Sequence, residues 1–308
     1  MGTAGEGEAT DGLVVVDKPA GWTSHDVVAR LRRIYGLRRV GHAGTLDPDA
    51  TGVLLVGLGR ATRLLRFLSE TGKVYRGEVA FGVATDTLDA AGTETARRAM
   101  PEVTQEALEA VLPRFLGTIA QVPPMVSAIK VEGRRLHERA RAGEVVERAP
   151  RTVRIDRIEV ESFTPGEFPR AQLLVECGSG TYIRSLAADL GEALGGCAHL
   201  AWLRRLRVGP FPVEEARTLE EIAETPAKVV LPLVEAVRHL PRVDVDGETA
   251  RGVAHGAVFP VTALLAGDEA GPFAVVGPDG RLLALYQKGR AAARPLVVLA
   301  GAGAGGGG

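Results

Sequence analysis

The sequence lacks the features that several large classes of protein require. It has only two cysteines in 308 residues, Cys177 and Cys197, and their isolation excludes a disulfide framework or a zinc-binding cysteine pattern. No apolar run approaches the roughly 18 residues that a transmembrane helix needs. The first residues, Met1 to Thr10, are small and acidic and lack the basic and apolar regions of a secretory signal. We therefore expect a cytoplasmic protein without a membrane segment.

The chain also lacks an excess of either positive or negative charge. The formal net charge is −1, so the bulk composition does not require a nucleic-acid partner, and an RNA site has to come from local clustering. With 45% hydrophobic and 24% charged residues, the chain is typical of globular proteins. It contains no internal repeat. We expect disorder at residues 1–11 and in the glycine-rich tail, 301–308.

The apolar pattern predicts an α+β protein. Short apolar or alternating runs predict strands at 13–16, 53–56, 74–81, 155–160 and 173–176. Capping residues and 3.6-residue periodicity predict helices between Thr23 or Ser24 and Gly36, at 61–68, after Thr104 and at 181–194. After Phe211 the composition changes, and β-like runs follow at 273–276, 282–286 and 296–299. We therefore predict a catalytic domain at 12–235 and a small all-β domain at 240–300.

One loop stands out because it combines turn formers with a carboxylate. Residues 41–52 read GHAGTLDPDATG and contain three glycines and one proline just before the strand at 53–56. Pro48 disfavours a helical backbone at Asp47, so this carboxylate can project from the sheet into a cleft. From residue chemistry alone, a turn-forming Asp-Pro-Asp is the simpler interpretation.

The full string changes this interpretation, because it closely resembles the signature of the TruB family, the bacterial tRNA pseudouridine-55 synthases. Further matches hold their order and spacing over about residues 12–210: DKPAGWTS at 17–24, KVY at 73–75, VPPMVSAIK at 122–130, GTYIRSL at 180–186 and HLAWLRRL at 199–206. The last sixty residues resemble the family's small PUA-like domain more weakly. The resemblance implies the pseudouridine-synthase fold: a mixed central sheet with flanking helices, followed by that β domain.

The resemblance also implies roles for individual residues. Asp47 matches the nucleophile, Tyr75 the aromatic that stacks on the flipped uracil and is a candidate general base, and Arg184 the guanidinium that pairs with the carboxylate. The residues that match the nucleotide pocket are His42, Tyr182 and Leu203, with Lys18 at its edge. Without the resemblance, each has an ordinary explanation: a core aromatic for Tyr75, a surface or capping arginine, or a hydrogen-bonding loop histidine.

These residue types suit an isomerisation that breaks a glycosidic C–N bond and re-forms it through carbon. There is no redox change and no phosphate transfer, so we expect no cofactor and no metal. A carboxylate nucleophile can divide the reaction into two easier steps, and Arg184 can keep Asp47 ionised and aimed. The sequence does not distinguish attack on the sugar from attack on the base or removal of a sugar proton. A stacked base must be flipped out, and an aromatic such as Tyr75 can replace the lost stacking.

Two clusters of basic residues are candidates for RNA binding. The stretch 130–154 carries eight basic and four acidic residues, and within it 123–151 resembles the family's thumb insertion, in which His137 replaces the usual tyrosine. Its candidate RNA contacts are Lys130, Arg134, Arg135, Arg139 and Arg141. The second cluster lies near the signature loop and comprises Arg30, Arg32, Arg33, Arg38 and Arg39. A neutral protein with two such clusters is suited to holding RNA on one face, although a solvated helix face explains any single arginine equally well.

Three other functions compete with this prediction. A non-catalytic tRNA-binding or tRNA-folding protein on the same scaffold needs no nucleophile. A nucleotide-cofactor enzyme is suggested by GLGRAT at 57–62, which lacks the third glycine of the usual motif. A guide-RNA-dependent synthase is disfavoured by the thumb-like insertion and the small C-terminal domain. We therefore predict a stand-alone, monomeric enzyme that acts on the tRNA T-arm at position 55, without guide RNA.

Overall fold

The computed structural model describes residues 11–125, 130–131, 134–135, 148–264 and 271–299. The strands up to residue 212 are β1 Gly12–Lys18, β2 Val40–Ala43, β3 Thr51–Leu58, β4 Lys73–Phe81, β5 Val83–Thr85, β6 Glu94–Arg97, β7 Gly117–Gln121, β8 Lys130–Val131, β9 Arg134–Arg135, β10 Arg151–Thr164, β11 Arg170–Cys177, β12 Ala198–Val208 and β13 Phe211–Pro212. The helices up to residue 224 are α1 Ser24–Tyr35, α2 Leu65–Ser69, α3 Gln105–Val111, α4 Ile183–Ala193 and α5 Leu219–Glu224.

The central sheet is mixed, with the order β1-β3-β12-β4-β11-β10-β7. Its neighbours are antiparallel except β3 and β12, which run parallel and pair only through Thr51 with Arg204 and Gly52 with Arg205. A Cβ atom at Gly52 would lie 2.2 Å from the Arg205 carbonyl oxygen, and Gly52 has a φ of +100°. Only glycine therefore allows these two strands to approach so closely. We call this short parallel pairing the seam of the sheet.

The strands on the β1 side of the seam are buried on both faces. Side chains alternate along a strand, so Val14 and Val16 of β1 point to α1, whereas Leu13 and Val15 point to a second apolar layer. That layer includes residues of the C-terminal sheet, among them Val276, Leu285 and Val297. Helix α1 is fixed at its start by a capping box between Thr23 and Asp26 and ends at Gly36.

The C-terminal unit is a five-stranded sheet of order β14-β16-β17-β18-β15 with one helix. Its elements are β14 Arg242–Asp244, α6 Gly247–Ala254, β15 Phe259–Pro260, β16 Pro272–Val276, β17 Leu282–Lys288 and β18 Ala292–Val298. Helix α6 was not predicted, and it packs Val253 into the apolar cluster of this sheet. The predicted mixed sheet with flanking helices and a small C-terminal β domain is confirmed.

Smaller differences have local causes. The helix predicted at 61–68 is a 3-10 turn at Gly59–Arg63 followed by the short α2, and Leu64 and Leu68 both pack into the core. Asp11, predicted to belong to a disordered terminus, pairs with Arg60. Residues 1–10 and 300–308, and much of the predicted thumb, lie outside the described residues. Within the described part of the chain, no helix is long and apolar enough to cross a membrane.

Candidate active site

Asp47 lies on the turned loop between β2 and β3, and its carboxylate forms a two-pronged ion pair with Arg184. Arg184 Nη2 is 2.9 Å from Asp47 Oδ1, and Arg184 Nε is 2.9 Å from Oδ2. The guanidinium side chain is 5% exposed, while the Asp47 side chain is 40% exposed. A buried fork therefore fixes both carboxylate oxygens, and the carboxylate itself remains open to solvent.

The first turn of α4 carries Arg184, and neighbouring elements hold that turn in place. Gln121, at the end of β7, donates its amide to the Tyr182 carbonyl oxygen at 3.0 Å and accepts from the Tyr182 backbone N–H at 2.8 Å. Ser185 Oγ donates to the Val122 carbonyl oxygen at 2.7 Å. These bonds tie the start of the helix to the strand and so orient Arg184.

A second carboxylate shares the same guanidinium. Arg184 Nη1 donates to the Thr87 carbonyl oxygen at 3.2 Å and lies 3.3 Å from Asp89 Oδ2. Leu88, between these two partners, has a φ of +64°, and no other described residue except glycine has a positive φ. A leucine in the left-handed region is strained, and such strain is typical of functional sites. Arg184 thus joins Asp47 to Asp89.

A cavity of about 270 Å³ opens beside Asp47. Tyr75 on β4, Tyr182 and Leu203 on β12 line it together with Asp47 and Arg184. Tyr75 is only 8% exposed, so its ring is part of the cavity wall. The structure thus brings together five of the residues predicted from the sequence: Asp47, Tyr75, Tyr182, Arg184 and Leu203.

The electrostatics of this cavity follow from its walls. Burial among protein atoms raises the pKa of Asp47, the Arg184 charge lowers it, and Asp89 raises it again. Burial also raises the pKa of the Tyr75 phenol, against the opposing effect of Arg205. Lys73, on the cavity wall, has its pKa lowered to about 8 by burial. Desolvation therefore shifts each pKa in the direction that favours the neutral form of the group, and the Arg184 charge opposes this shift at Asp47.

Two predicted pocket residues lie elsewhere. Lys18 was predicted at the pocket's edge, but it is fully buried, with Nζ donating to the carbonyl oxygens of Pro19 at 2.8 Å, Trp22 at 2.6 Å and Pro48 at 2.8 Å. Burial lowers its pKa to about 8. His42 is half-buried on β2 and packs edge-on against His25 at 5.4 Å, and burial lowers its pKa to about 4. Neither side chain lines the cavity.

Two functional candidates were missed by sequence reasoning. Asp89 sits on the loop after β5 in a string, TDTLD, that resembles an ordinary polar turn. Arg205 was seen only as one letter of the 199–206 motif, yet it is 1% exposed and lines the cavity. The sequence does contain a signal for Arg205. It lies two residues after Leu203, and residues two apart on a strand point to the same face.

The predicted RNA-binding residues fall into two groups. The chain positions of Lys130, Arg134 and Arg135 lie in a short hairpin in which Lys130 pairs with Arg135, whereas Arg139, Arg141 and His137 lie outside the described residues. The second cluster is exposed on α1 and the turn after it, and none of its members pairs with a described carboxylate. These members are Arg30, Arg32, Arg33, Arg38 and Arg39.

No group of three or more His, Cys, Asp or Glu side chains within the described ranges is arranged to hold a metal ion. The polar side chains that line the cavity are instead one carboxylate, two phenols, hydroxyl groups and basic groups. These groups make the cavity a candidate active site built around the Asp47 carboxylate.

Comparison with family models gives three consecutive matches. Residues 32–183 match the model described as "TruB family pseudouridylate synthase (N terminal domain)". Residues 184–238 match "tRNA pseudouridylate synthase B C-terminal domain", and residues 240–300 match "tRNA Pseudouridine synthase II, C terminal". Together the matches cover every strand of both sheets except β1.

Individual proteins agree with these models. The chain is 49% identical over 297 residues to tRNA pseudouridine synthase B of Thermobifida fusca, a match covering 94% of this chain and 99% of that protein. It is 50% identical over 246 residues to tRNA pseudouridine synthase B of Symbiobacterium thermophilum, covering 80% and 82%. Among solved structures, a Cbf5-Nop10-Gar1 complex matches with a TM-score of 0.73 and 29% identity, over 94% of this chain and 84% of that one. The chain belongs to the TruB family of pseudouridylate synthases and is therefore an isomerase.

Proposed function

We propose that this protein converts uridine 55 in the T-loop of tRNA to pseudouridine, as a stand-alone enzyme with Asp47 as its nucleophile. The observation that carries the proposal is the Asp47–Arg184 pair, which opens into the cavity lined by Tyr75. The substrate class is supported by relatives named tRNA pseudouridine synthase B that match nearly the full length of the chain. The position in the T-loop comes from the family resemblance.

The reaction conserves every atom of the nucleoside. The bond between uracil N1 and the sugar C1′ breaks, the uracil turns, and C5 bonds to C1′. The hydrogen on C5 leaves as a proton, and N1 gains one. Nucleophilic help from Asp47 divides this rearrangement into two steps, and Arg184 holds the carboxylate ionised until it reacts.

Tyr75 and the cavity walls provide the environment for the displaced base. A uridine stacked in RNA has to leave its stack to reach a carboxylate at the base of a cavity, and the Tyr75 ring supplies a replacement aromatic surface. Its phenol is also a candidate proton acceptor for the C5 hydrogen. Tyr182 and Leu203 complete the walls around the base. Lys18 supports the loop through its bond to the Pro48 carbonyl oxygen, and His42 lies on the neighbouring strand β2, outside the cavity lining.

RNA binding is assigned to the two basic clusters. Arg30 and Arg33 of α1 line a surface pocket together with Gly21, and the Gly21 backbone N–H donates to the Pro48 carbonyl oxygen of the catalytic loop at 3.0 Å. Cations there can bind phosphates on either side of the flipped nucleotide. The insertion at 123–151 is proposed to supply a second RNA-binding surface, through Lys130, Arg134, Arg135, Arg139 and Arg141. The domain limits are proposed at 12–235 and 240–300.

An unmodified tRNA transcript tests the proposal. The protein alone, after dialysis against a chelator, is incubated with the transcript, and pseudouridine is mapped by carbodiimide treatment and primer extension. We expect one new stop at position 55, absent from the Asp47→Asn variant and from a transcript carrying cytidine at that position. A tRNA-binding protein without activity would shift the transcript in a gel yet give no stop. A stop at another position would refute the T-loop assignment.

A further inference from the structure

The loop that carries Asp47 has a donor for every backbone carbonyl from residue 44 to residue 48. Most of these donors are side chains from distant elements: Arg205 for Gly44 (3.2 Å) and Thr45 (3.4 Å), Ser24 Oγ for Leu46 (3.2 Å), the Ala50 N–H for Asp47 (3.2 Å), and Lys18 Nζ for Pro48 (2.8 Å). A loop whose carbonyls are all paired has little freedom to move. The position of the Asp47 carboxylate is therefore set by the side chains beneath it.

Arg205 is the unusual member of this set. It is 1% exposed, and it forms no ion pair with a carboxylate among the residues that the structure describes. Besides Gly44 and Thr45, it donates from Nε to the Val53 carbonyl oxygen at 2.7 Å. A buried charge without a counterion is costly to fold. Such a residue needs a reason other than stability.

The strand pairing supplies that reason. β12 lies between β3 and β4, and Arg205 stands opposite Gly52 on one side and opposite Tyr75 on the other. Arg205 and Tyr75 also line the same cavity, and the Arg205 charge opposes the burial that raises the pKa of the Tyr75 phenol. One side chain thus bonds the loop that carries Asp47 and stands beside Tyr75 on the neighbouring strand.

We propose that Arg205 is a positioning residue that sets the geometry between the Asp47 carboxylate and the Tyr75 ring. It forms part of the cavity floor with almost no exposed surface, so it acts through these two groups rather than on the uridine itself. The inference rests on the proposed function, because it assumes that Asp47 and Tyr75 serve the reaction.

A guanidinium fits this task better than an ammonium. The hydrogen bonds of Arg205 leave from three different nitrogens and point to Val53, Thr45 and Gly44. A lysine concentrates its donors on one atom and cannot span the same partners. Lysine at this position is therefore expected to keep the fold and lose part of the geometry.

The test compares Arg205→Met and Arg205→Lys with Arg207→Met, a matched control on the same strand whose side chain is 47% exposed. For Arg205→Met we expect kcat to fall about 100-fold, the scale of a misplacement of about 1 Å at a reacting centre. The KM for tRNA and the binding affinity should stay near the wild-type values. Arg205→Lys should recover part of kcat, and Arg207→Met should match the wild type. If the methionine variant does not fold, the lysine variant carries the comparison.

Several outcomes would overturn the inference. Full kcat in Arg205→Met, or in a folded Arg205→Lys when the methionine variant does not fold, shows that the guanidinium does not position the site. If Arg205→Met lowers kcat, tRNA affinity and melting temperature together, the role of Arg205 is purely structural. In a double-mutant cycle with Tyr75→Phe, the effect of Arg205→Lys should shrink, because the phenol that Arg205 orients is gone; strict additivity contradicts the link. If the wild-type protein forms no pseudouridine, it is the proposed function that fails.

Discussion

Replacing Arg184 with methionine tests how the ion pair serves Asp47. The substitution removes the charge that lowers the pKa of Asp47, while burial and Asp89 continue to raise it. Asp47 has to be ionised to act as a nucleophile, so activity rises with pH through its pKa. Without Arg184 that pKa increases, and the acid limb of the pH–rate profile moves to higher pH.

The size of the effect follows from the exposure of the two side chains. Breaking a fully buried ion pair costs about 3–5 kcal/mol. Because the Asp47 side chain is 40% exposed, water recovers part of this energy, and the lower end of the range applies. Loss of about 3 kcal/mol of stabilisation of the ionised carboxylate lowers the ionised fraction, and with it the rate at pH values below the acid limb, roughly 150-fold at 1.36 kcal/mol per tenfold change.

The assay is single-turnover release of tritium from a tRNA transcript with uridines tritiated at C5, measured at saturating enzyme across a pH series. Tritium leaves when C5 bonds to the sugar, so the signal reports chemistry and not binding. Arg184→Lys should lie between the methionine variant and the wild type, because it keeps the charge and loses the fork. Arg157→Met, which removes an exposed arginine paired with Glu159, should behave as the wild type. A rate reduction of less than fivefold, or an unmoved acid limb, would refute this account of the pair.

Three further predictions concern the loop, the RNA surface and the fold. Asp47→Asn should slow single-turnover isomerisation roughly a thousandfold, about 4 kcal/mol of barrier, with tRNA affinity unchanged in a filter-binding assay; a rate above a tenth of the wild type would exclude Asp47 as the nucleophile. Alanine at Arg30, Arg32 and Arg33 should reduce the slope of log K against log salt by roughly 0.7 to 0.9 for each phosphate that no longer has a bound arginine, without moving the modified position, because phosphate contacts do not read sequence. The control replaces Arg97, Arg157 and Arg242, which pair with carboxylates, by alanine. If the slope of the α1 variant equals that of this control, the arginines of α1 form only a solvated surface. Lys18→Met should lower the urea-derived free energy of unfolding by about 2–4 kcal/mol, because carbonyls lose their donor; a change below about 0.5 kcal/mol, the scale of a neutral surface substitution, would contradict the supporting role of Lys18.

The parts of the fold that were predicted from sequence have local causes. α1 carries its own capping box and a periodic apolar stripe, and β1 and β3 are short apolar runs between turn formers. The central strand β12 was not predicted, because it reads AHLAWLRRLRV and its arginines disguise the pattern. Arg205 can be buried there only because carbonyl groups from the loop at 44–53 face it, and that loop lies far away in sequence. Such a partner cannot be read from neighbouring residues.

The candidate site also contains residues that the sequence predicted and residues that it did not. The pairing of Asp47 with Arg184 was expected from the resemblance, and the two side chains lie in contact. Lys18 was expected at the edge of the pocket because it matches a basic residue there in the family that the sequence resembles, yet its ammonium is fully occupied by carbonyl oxygens. Charge alone does not tell whether a lysine faces solvent or supports a loop. The contribution of Asp89 depends on the folding of a hairpin whose sequence resembles an ordinary turn.

The seam between β3 and β12 divides the residues of the candidate active site into two groups. Asp47 precedes β3 on one side of the seam, whereas Tyr75 on β4 and Arg184 on α4 lie on the other side, and Leu46 and Ala50 beside Asp47 pack in the same apolar cluster as Tyr75. β3 and β12 pair through only two residue pairs, and the side chains of Arg204 and Arg205 cross the seam to Asp17 and Val53. A shift of β3 along this line would move Asp47 relative to Tyr75 and Arg184, so the geometry of the candidate site depends directly on the seam.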